Sequence, residues 1–227
     1  MRATAHDVVR VGRLLRLALT AGPAPVRVAR VAIRRHGAIQ RTWELASLAA
    51  AVRRLAPRTV VEIGTHHGGS LYCWAWAAAP DAHLVSIDLP DPAEGMGANA
   101  ETDRRLPGFL RAGQRLTCIR ADSHAPSTRA ELVAALGGHA VDFLWIDGDH
   151  SDAGVRADWA MYAPLVRPGG LVAFHDIHPD PGIPGNQAYR LWRELRRAYP
   201  VREVIDQDQP GGVGTGIGML TVPAGGL

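Results

Sequence analysis

The stretch TVVEIGTHHGGS, residues 59–70, contains the pattern from which the fold can be predicted. Its first five residues form a short, mainly apolar run that predicts a β-strand. Gly64 permits a tight turn directly after that strand, and Gly68 and Gly69 let the backbone approach a ligand closely at the start of a helix. Residues 59–70 therefore predict a strand, a ligand-binding turn and a helix in immediate succession.

Beyond residue 59, short apolar runs alternate with helical stretches, which is typical of βαβ units and a parallel sheet. Strands are predicted at residues 59–63, 84–87, 115–120, 141–146, 171–174, 201–205 and 217–222. Helices are predicted at residues 69–79, 101–112, 129–136, 153–165 and 187–199, with a helix stop and turn at RPGG, residues 167–170. The pattern indicates one doubly wound, Rossmann-like α/β domain, whose ligands bind at the carboxyl ends of the strands.

The first 37 residues differ from the rest in composition. Apolar residues recur at helical spacing over residues 5–20 and 26–33, and a third helix is predicted at residues 39–55. All 25 basic residues of the chain are arginines, and eight of them lie between Arg2 and Arg35. We predict a basic helical arm over residues 1–37, acting as a lid or an oligomer contact, ahead of a domain at residues 38–227. No aromatic residues interleave with these arginines, which disfavours a nucleic-acid surface.

The bulk composition is that of a globular protein. The 227 residues are 47% hydrophobic and 21% charged, with a formal net charge of +3. No apolar run is long enough to cross a bilayer, and arginines interrupt the apolar residues near the N-terminus. Cys73 and Cys118 form no CxxC pair and are predicted to be buried free thiols of a cytoplasmic protein.

Three acidic residues lie at the ends of the first three predicted strands, in order. Glu62 precedes the first glycine of the turn, which suits a ligand with a cationic amino-acid head, and the turn lacks the GxGxxG spacing of a dinucleotide fold. Asp88 ends the second strand, where an acid can accept both hydroxyls of a ribose. Asp122 comes after the third strand, where it could accept from an adenine amino group. Each aspartate alone could instead be a turn or cap residue.

The most informative stretch is FLWIDGDH, residues 143–150, which delivers acids and a histidine to a strand end. The next strand ends in HDIH, residues 175–178, so Asp147 and Asp176 are predicted to lie side by side. Paired carboxylates suit a hard divalent cation, Mg²⁺ by default. His150 is the best candidate for a general base, because its ordinary pKa lies near neutrality. A metal-free site with His150 or His175 as the base stays open, and so does the role of His178.

Residues 60–70 with Asp88 and Asp122 resemble the first three cofactor motifs of the class I S-adenosylmethionine-dependent methyltransferases. Residues 142–176 more narrowly resemble the branch of metal-dependent macrolide-sugar O-methyltransferases and proteins named cephalosporin hydroxylases. The resemblance covers roughly residues 38–222 and implies a seven-stranded sheet with an antiparallel last strand, fed by residues 211–220. It implies S-adenosylmethionine as the cofactor, bound by Glu62, Gly64, Thr65, Gly68, Ser70, Asp88, Asp122 and Asp147.

The same resemblance implies that Asp147 and Asp176 are metal ligands and that His150 is the base. His175 stands where the sugar methyltransferases have a glutamate ligand. An imidazole ligand fits Mg²⁺ poorly and favours Zn²⁺, Mn²⁺ or Fe²⁺, so His175 is either a third ligand or a residue behind the ligands.

For four residues the sequence allows either a functional or a purely structural role: Gln40, Trp43, His66 and His67. Two loops, residues 90–104 and 179–185, could close over the site and select the substrate.

The sequence thus predicts a methyltransferase acting on a hydroxyl of a small molecule, such as a natural product or its sugar, with a divalent cation. No nucleic-acid or membrane partner is predicted, and the arm could support a homo-oligomer. The alternatives are a metal-free O- or N-methyltransferase and a non-catalytic partner protein that binds S-adenosylmethionine. A nicotinamide dehydrogenase is disfavoured because the GxGxxG motif is absent.

Overall fold

The computed structural model describes residues 5–90, 97–206 and 215–227, with side chains from residue 12 onward. The strands of this part of the chain are β1 Thr59–Ile63, β2 His83–Asp88, β3 Arg115–Arg120, β4 Val141–Ile146, β5 Val166–His175, β6 Val201–Val204 and β7 Ile217–Thr221. Its α-helices are α1 Ala5–Ala21, α2 Ala24–His36, α3 Thr42–Leu55, α4 Gly69–Ala77, α5 Ala100–Arg105, α6 Pro126–Leu136, α7 Asp152–Tyr162 and α8 Ala188–Ala198.

The seven strands form one sheet in the order β3-β2-β1-β4-β5-β7-β6. The pairs β3–β2, β2–β1, β1–β4 and β4–β5 are parallel. The last strand, β7, runs antiparallel to both β5 and β6. The predicted doubly wound sheet with an antiparallel last strand is therefore confirmed. Strand order reverses between β1 and β4, which opens a crevice beyond their carboxyl ends.

The two faces of the sheet bury separate apolar clusters, because successive side chains of a strand point to opposite sides. On one face, Val60 and Trp145 pack with residues of α2, α3 and α4. On the other face, Val61 and Leu144 pack with residues of α6, α7 and α8. The buried side chains of α2 include Val28, so this helix packs on the domain. The division between residues 37 and 38 stays a prediction.

Three sequence-based expectations need correction. The helix predicted at residues 101–112 ends as an α-helix at Arg105 and continues as a 3₁₀ helix over Leu106–Phe109, because Pro107 lacks the N–H that an α-helix needs. The turn predicted at residues 167–170 is part of β5, whose pairing with β4 shifts register there. Cys118 is exposed because β3 is an edge strand, whereas Cys73 is buried as predicted.

The described helices include none with the length and apolarity needed to cross a membrane. Gly95 and Met96 of the predicted loop at residues 90–104, and residues 211–214 of the segment that feeds β7, lie outside the described residues.

Candidate active site

The turn after β1 lies directly against the end of β4. Gly64 has a φ of +83°, and a Cβ atom at this position would collide with the backbone carbonyl of Asp147. The Asp147 amide in turn donates to the Ile63 carbonyl at 2.9 Å. Gly64 is therefore required both by its left-handed backbone and by the close approach of the two strand ends.

A cavity of about 630 Å³ opens at the carboxyl ends of β1, β2, β3 and β4. Residues 37–40, between α2 and α3, cover one side of it. Predicted cofactor residues that line this cavity are Gly64, Thr65, Ser70, Asp88, Asp122 and Asp147. His66 and His150 also line it, whereas Glu62 and Gly68 do not. A second cleft of about 650 Å³ lies between α1 and α2, away from the strand ends.

Asp88 holds the glycine turn in place. Its Oδ2 accepts the amides of Thr65 at 3.0 Å and His66 at 2.6 Å, and its Oδ1 accepts the amide of Leu89 at 2.8 Å. Burial raises the pKa of Asp88, although the amide bonds from His66, Leu89 and Thr65 and the nearby Arg120 oppose that rise. The carboxylate at the end of β2 thus fixes the loop that borders the cavity, in addition to lining it.

Glu62 lies beneath the cavity wall. Its side chain is fully buried, and its Oε1 accepts the indole N–H of Trp74 at 2.8 Å. Burial raises the pKa of Glu62 to about 7, against the opposing hydrogen bonds from Ser70, Thr65 and Trp74. This acid therefore joins β1 to the start of α4, and its direct contact with a ligand stays a prediction.

Asp147 and Asp176 come directly after the adjacent parallel strands β4 and β5, so the predicted side-by-side arrangement is present. Two histidines lie between their carboxylates. The Nδ1 of His175 is 3.2 Å from Asp147 Oδ1 and 3.0 Å from Asp176 Oδ1. His150 contacts both acids, with Nε2 at 3.4 Å from Asp147 Oδ1 and Nδ1 at 3.1 Å from Asp176 Oδ2. Asp176 adopts a left-handed backbone with a φ of 61°.

Opposite charges in this cluster stabilise one another. Burial would lower the pKa of His175, but Asp147, Asp176 and Glu44 outweigh it and raise that pKa to about 9. The nearby carboxylate of Asp147 raises the pKa of His150 in spite of its burial. Burial would raise the pKa of Asp147, but His175 and His150 hold it below its ordinary value.

The donor set fits a divalent cation. Asp147, His175 and Asp176 each offer one ligand atom, and these atoms lie within 4.8 Å of one another. The buried atoms Asp147 Oδ1 and His175 Nδ1 have no hydrogen bond of good geometry among the described residues. Two carboxylates with one imidazole favour Mn²⁺, Fe²⁺ or Zn²⁺ over Mg²⁺.

Gln40 belongs to this site, a role that the sequence left open. It is 5% exposed, lines the cavity, and donates from Nε2 to Asp147 Oδ2 at 2.7 Å. Trp43, by contrast, is half-buried and packs against the core cluster. The ring of His67 packs beside Gly37. His178 faces the carbonyl of Pro179 at 3.2 Å.

Two buried acids near the candidate metal cluster, Glu44 and Asp206, were not predicted from the sequence. Glu44 of α3 is fully buried, and its Oε1 accepts the amide of Asp206 at 2.9 Å. Asp206, also buried, forms an ion pair with Arg13 of α1 at 3.7 Å. The one available signal was that Glu44 directly precedes the mainly apolar stretch LASLAAAV, residues 45–52.

The sheet order and the cavity at its switch point define the class of the protein: its fold is that of the class I S-adenosylmethionine-dependent methyltransferases. The chain matches the methyltransferase domain family over residues 61–177, just over half of its length. It belongs to that family. The resemblance that the sequence motifs suggested is therefore confirmed.

One curated protein is similar to part of the chain in sequence. The uncharacterized protein y4gI of Sinorhizobium fredii (strain NBRC 101917 / NGR234) is 27% identical over 149 residues. That match covers 66% of this chain and 16% of y4gI, so the chain spans a small part of its relative.

Solved structures share the fold at low sequence identity. MycE, a methyltransferase of mycinamycin biosynthesis solved with Mg, S-adenosylhomocysteine and mycinamycin VI, has a TM-score of 0.57 and 18% identity. The match covers 88% of this chain and 54% of MycE. The O-methyltransferase TomG of Streptomyces achromogenes, involved in tomaymycin synthesis, has a TM-score of 0.52 and 21% identity over 88% of this chain and 89% of TomG.

Proposed function

We propose that this protein transfers the methyl group of S-adenosylmethionine to a hydroxyl oxygen of a small molecule, with a divalent cation at the acceptor site. The acceptor class that we favour is a natural product or its sugar. One observation carries the proposal. Asp147 lines the cofactor cavity and also contacts His175 of the candidate metal cluster and the candidate base His150, so one side chain joins the cofactor and acceptor sides of the site.

The cavity residues have roles that suit this cofactor. The turn at Gly64 offers backbone to the ligand, and Asp88 at the end of β2 stands where an acid can accept ribose hydroxyls. Gln40 covers the cavity on one side and holds Asp147. S-adenosylmethionine supplies the electrophilic methyl group, so the protein needs mainly to align the acceptor oxygen with it and to exclude water.

The acceptor side must remove a hydroxyl proton. Asp147, His175 and Asp176 would hold the cation, which as a Lewis acid lowers the pKa of a bound hydroxyl. His150 lines the cavity and lies beside both aspartates, so it is the residue that we assign to take the proton. To act as a base, one of its ring nitrogens must turn from a carboxylate to the acceptor.

The contacts of His150 also favour a second candidate, a metal-free O-methyltransferase. Its ring nitrogens reach Asp147 and Asp176 at the same time, so the imidazole can itself bridge the two acids. In that case Asp147 and Asp176 orient the base, and no cation is needed.

The experiment is a methyl-transfer assay that measures S-adenosylhomocysteine release with a panel of hydroxylated acceptors, including glycosylated ones. We expect turnover with at least one acceptor and calorimetric binding of S-adenosylhomocysteine. Excess chelator should abolish turnover, and added Mn²⁺ or Mg²⁺ should restore it. Full turnover in excess chelator would support the metal-free candidate, whereas tighter binding of a nicotinamide dinucleotide would contradict both.

A further inference from the structure

A histidine–aspartate pair lies beside the cofactor cavity, apart from the candidate metal cluster of Asp147, His175 and Asp176. Asp158, on α7, is 0% exposed, and neither of its carboxylate oxygens has a hydrogen bond of good geometry among the described residues. The Nε2 of His124 lies 3.4 Å from Asp158 Oδ1. A buried carboxylate is costly unless a partner offsets its charge. Ser123 and His124 are the neighbours that oppose this cost, and of the two His124 is the titratable group.

The pair joins the loop after β3 to the helix after β4. His124 lies beyond β3 and lines the cavity, and Asp158 lies behind it on α7. A second contact ties the same elements together, since the hydroxyl of Tyr162 donates to the carbonyl of Ser123 at 2.5 Å. Burial raises the pKa of Asp158 to about 6, against the opposing effects of Ser123 and His124. Polar groups therefore connect the loop after β3 to α7 beneath this end of the cavity.

The other nitrogen of His124 faces Asp122. His124 Nδ1 is 3.6 Å from Asp122 Oδ1, which also accepts the backbone amide of His124 at 2.9 Å. The three side chains run outward from the core, with 0% exposure at Asp158, 28% at His124 and 60% at Asp122. One imidazole therefore lies between a fully buried acid and an accessible carboxylate on the cavity wall.

We propose that Asp158 and His124 are positioning residues that fix the carboxylate of Asp122 for recognition of a 6-aminopurine base. The proposal rests on the proposed function, because it names the part of the cofactor that this end of the cavity reads. A held carboxylate accepts from an exocyclic amino group and repels the carbonyl oxygen of a 6-oxopurine. A site that hydrogen-bonds an N–H group discriminates strongly against an analogue without it.

The test compares two ligands by calorimetry: S-adenosylhomocysteine and S-inosylhomocysteine, in which a carbonyl oxygen replaces the amino group. The proteins are the wild type, Asp158→Asn, His124→Gln and the control His139→Ala, which changes an exposed histidine outside the cavity. Wild type and control should prefer the adenine ligand by at least about tenfold. In Asp158→Asn and His124→Gln, the affinity for the adenine ligand should fall about tenfold, while that for the inosine ligand stays within about twofold.

Equal losses for both ligands in these variants would overturn the proposal, because a merely structural role weakens both alike. Unchanged discrimination would overturn it as well. If Asp158→Asn does not fold, His124→Gln alone decides between these outcomes, since its side chain is partly exposed. Failure of the wild type to bind either ligand would instead contradict the proposed function itself.

Discussion

The side-chain amide of Gln40 donates to Asp147 Oδ2 at 2.7 Å, across 107 residues of sequence. The bond ties the segment that covers the cavity to the carboxylate shared by the cofactor and metal halves of the site. It also leaves Asp147 Oδ1 to face the two histidines. One hydrogen bond therefore connects the segment that covers the cavity, residues 37–40, to the acid that follows β4.

Replacing Gln40 by alanine should weaken both stability and cofactor binding. The buried carboxylate of Asp147 would lose a donor, and a hydrogen bond to a charged group contributes about 1.5–3 kcal/mol. Urea denaturation should show a loss of that size in the free energy of unfolding, and calorimetry should show weaker S-adenosylhomocysteine binding. The control is Arg41→Ala at the next residue, whose side chain makes no capping bond to α3. Equal behaviour of the two variants would contradict the role of Gln40.

Asp88→Ala should weaken S-adenosylhomocysteine binding by roughly 1–3 kcal/mol, as judged by calorimetry. The variant loses an acid on the cavity wall and also the acceptor for the amides of Thr65 and His66. Asp81→Ala serves as the matched control, because Asp81 is exposed and pairs with Arg58 at 2.7 Å. Unchanged affinity in Asp88→Ala would remove Asp88 from the cofactor site.

Metal preference should depend on the ligand set. With an imidazole among the ligands, calorimetry should show tighter binding of Mn²⁺ than of Mg²⁺, and His175→Glu should shift the preference towards Mg²⁺. Asp176→Asn should weaken Mn²⁺ binding strongly, whereas Asp180→Asn, in the adjoining loop, should leave it unchanged. Mn²⁺ binding that survives in Asp176→Asn would show that the ion binds elsewhere.

His150→Ala should lower kcat by about 10²–10⁴ if His150 is the base, with cofactor affinity nearly intact. Asp147 raises the pKa of His150 above the ordinary value of 6.5 in the protein without a cation, and the acid limb of the kcat profile should disappear when this imidazole is removed. His175→Ala should keep that limb and increase the metal requirement. Near-normal turnover in His150→Ala, with loss of the acid limb in His175→Ala, would make His175 the base.

Glu62→Gln should stabilise the protein at alkaline pH. The folded-state pKa of Glu62 is about 7, above the ordinary 4.5, so the folded state binds an extra proton between these values. The stability that this proton contributes is complete below pH 4.5 and is lost as the pH rises through about 7. The glutamine variant has no titrating group at this position, so it does not lose stability in this way. The difference in the free energy of unfolding, variant minus wild type, should therefore rise by roughly 2–4 kcal/mol from about pH 4.5 to about pH 8. A pH-independent difference would contradict the assignment.

The sequence by itself determined the strands and the acids at their carboxyl ends. Six predicted strands begin and end within one residue of the observed ones, because short apolar runs between turn residues specify strands locally. Strand order and parallel pairing then bring Asp88 and Asp147 to the same edge of the sheet. Those acids could be predicted since each lies at the end of its strand or immediately beyond it.

Only the tertiary structure decided how these groups are held. Gln40 donates a hydrogen bond to Asp147, and Glu44 helps to raise the pKa of His175. Asp158 lies against His124. The partners in each pair are far apart in the sequence, so no local pattern predicts these contacts. Glu44 and Asp158 each lie in a helix, where an acid normally indicates a solvated face, yet both are fully buried. Their roles depend on packing, because burial removes water as a partner and makes a buried charge depend on the side chains that surround it.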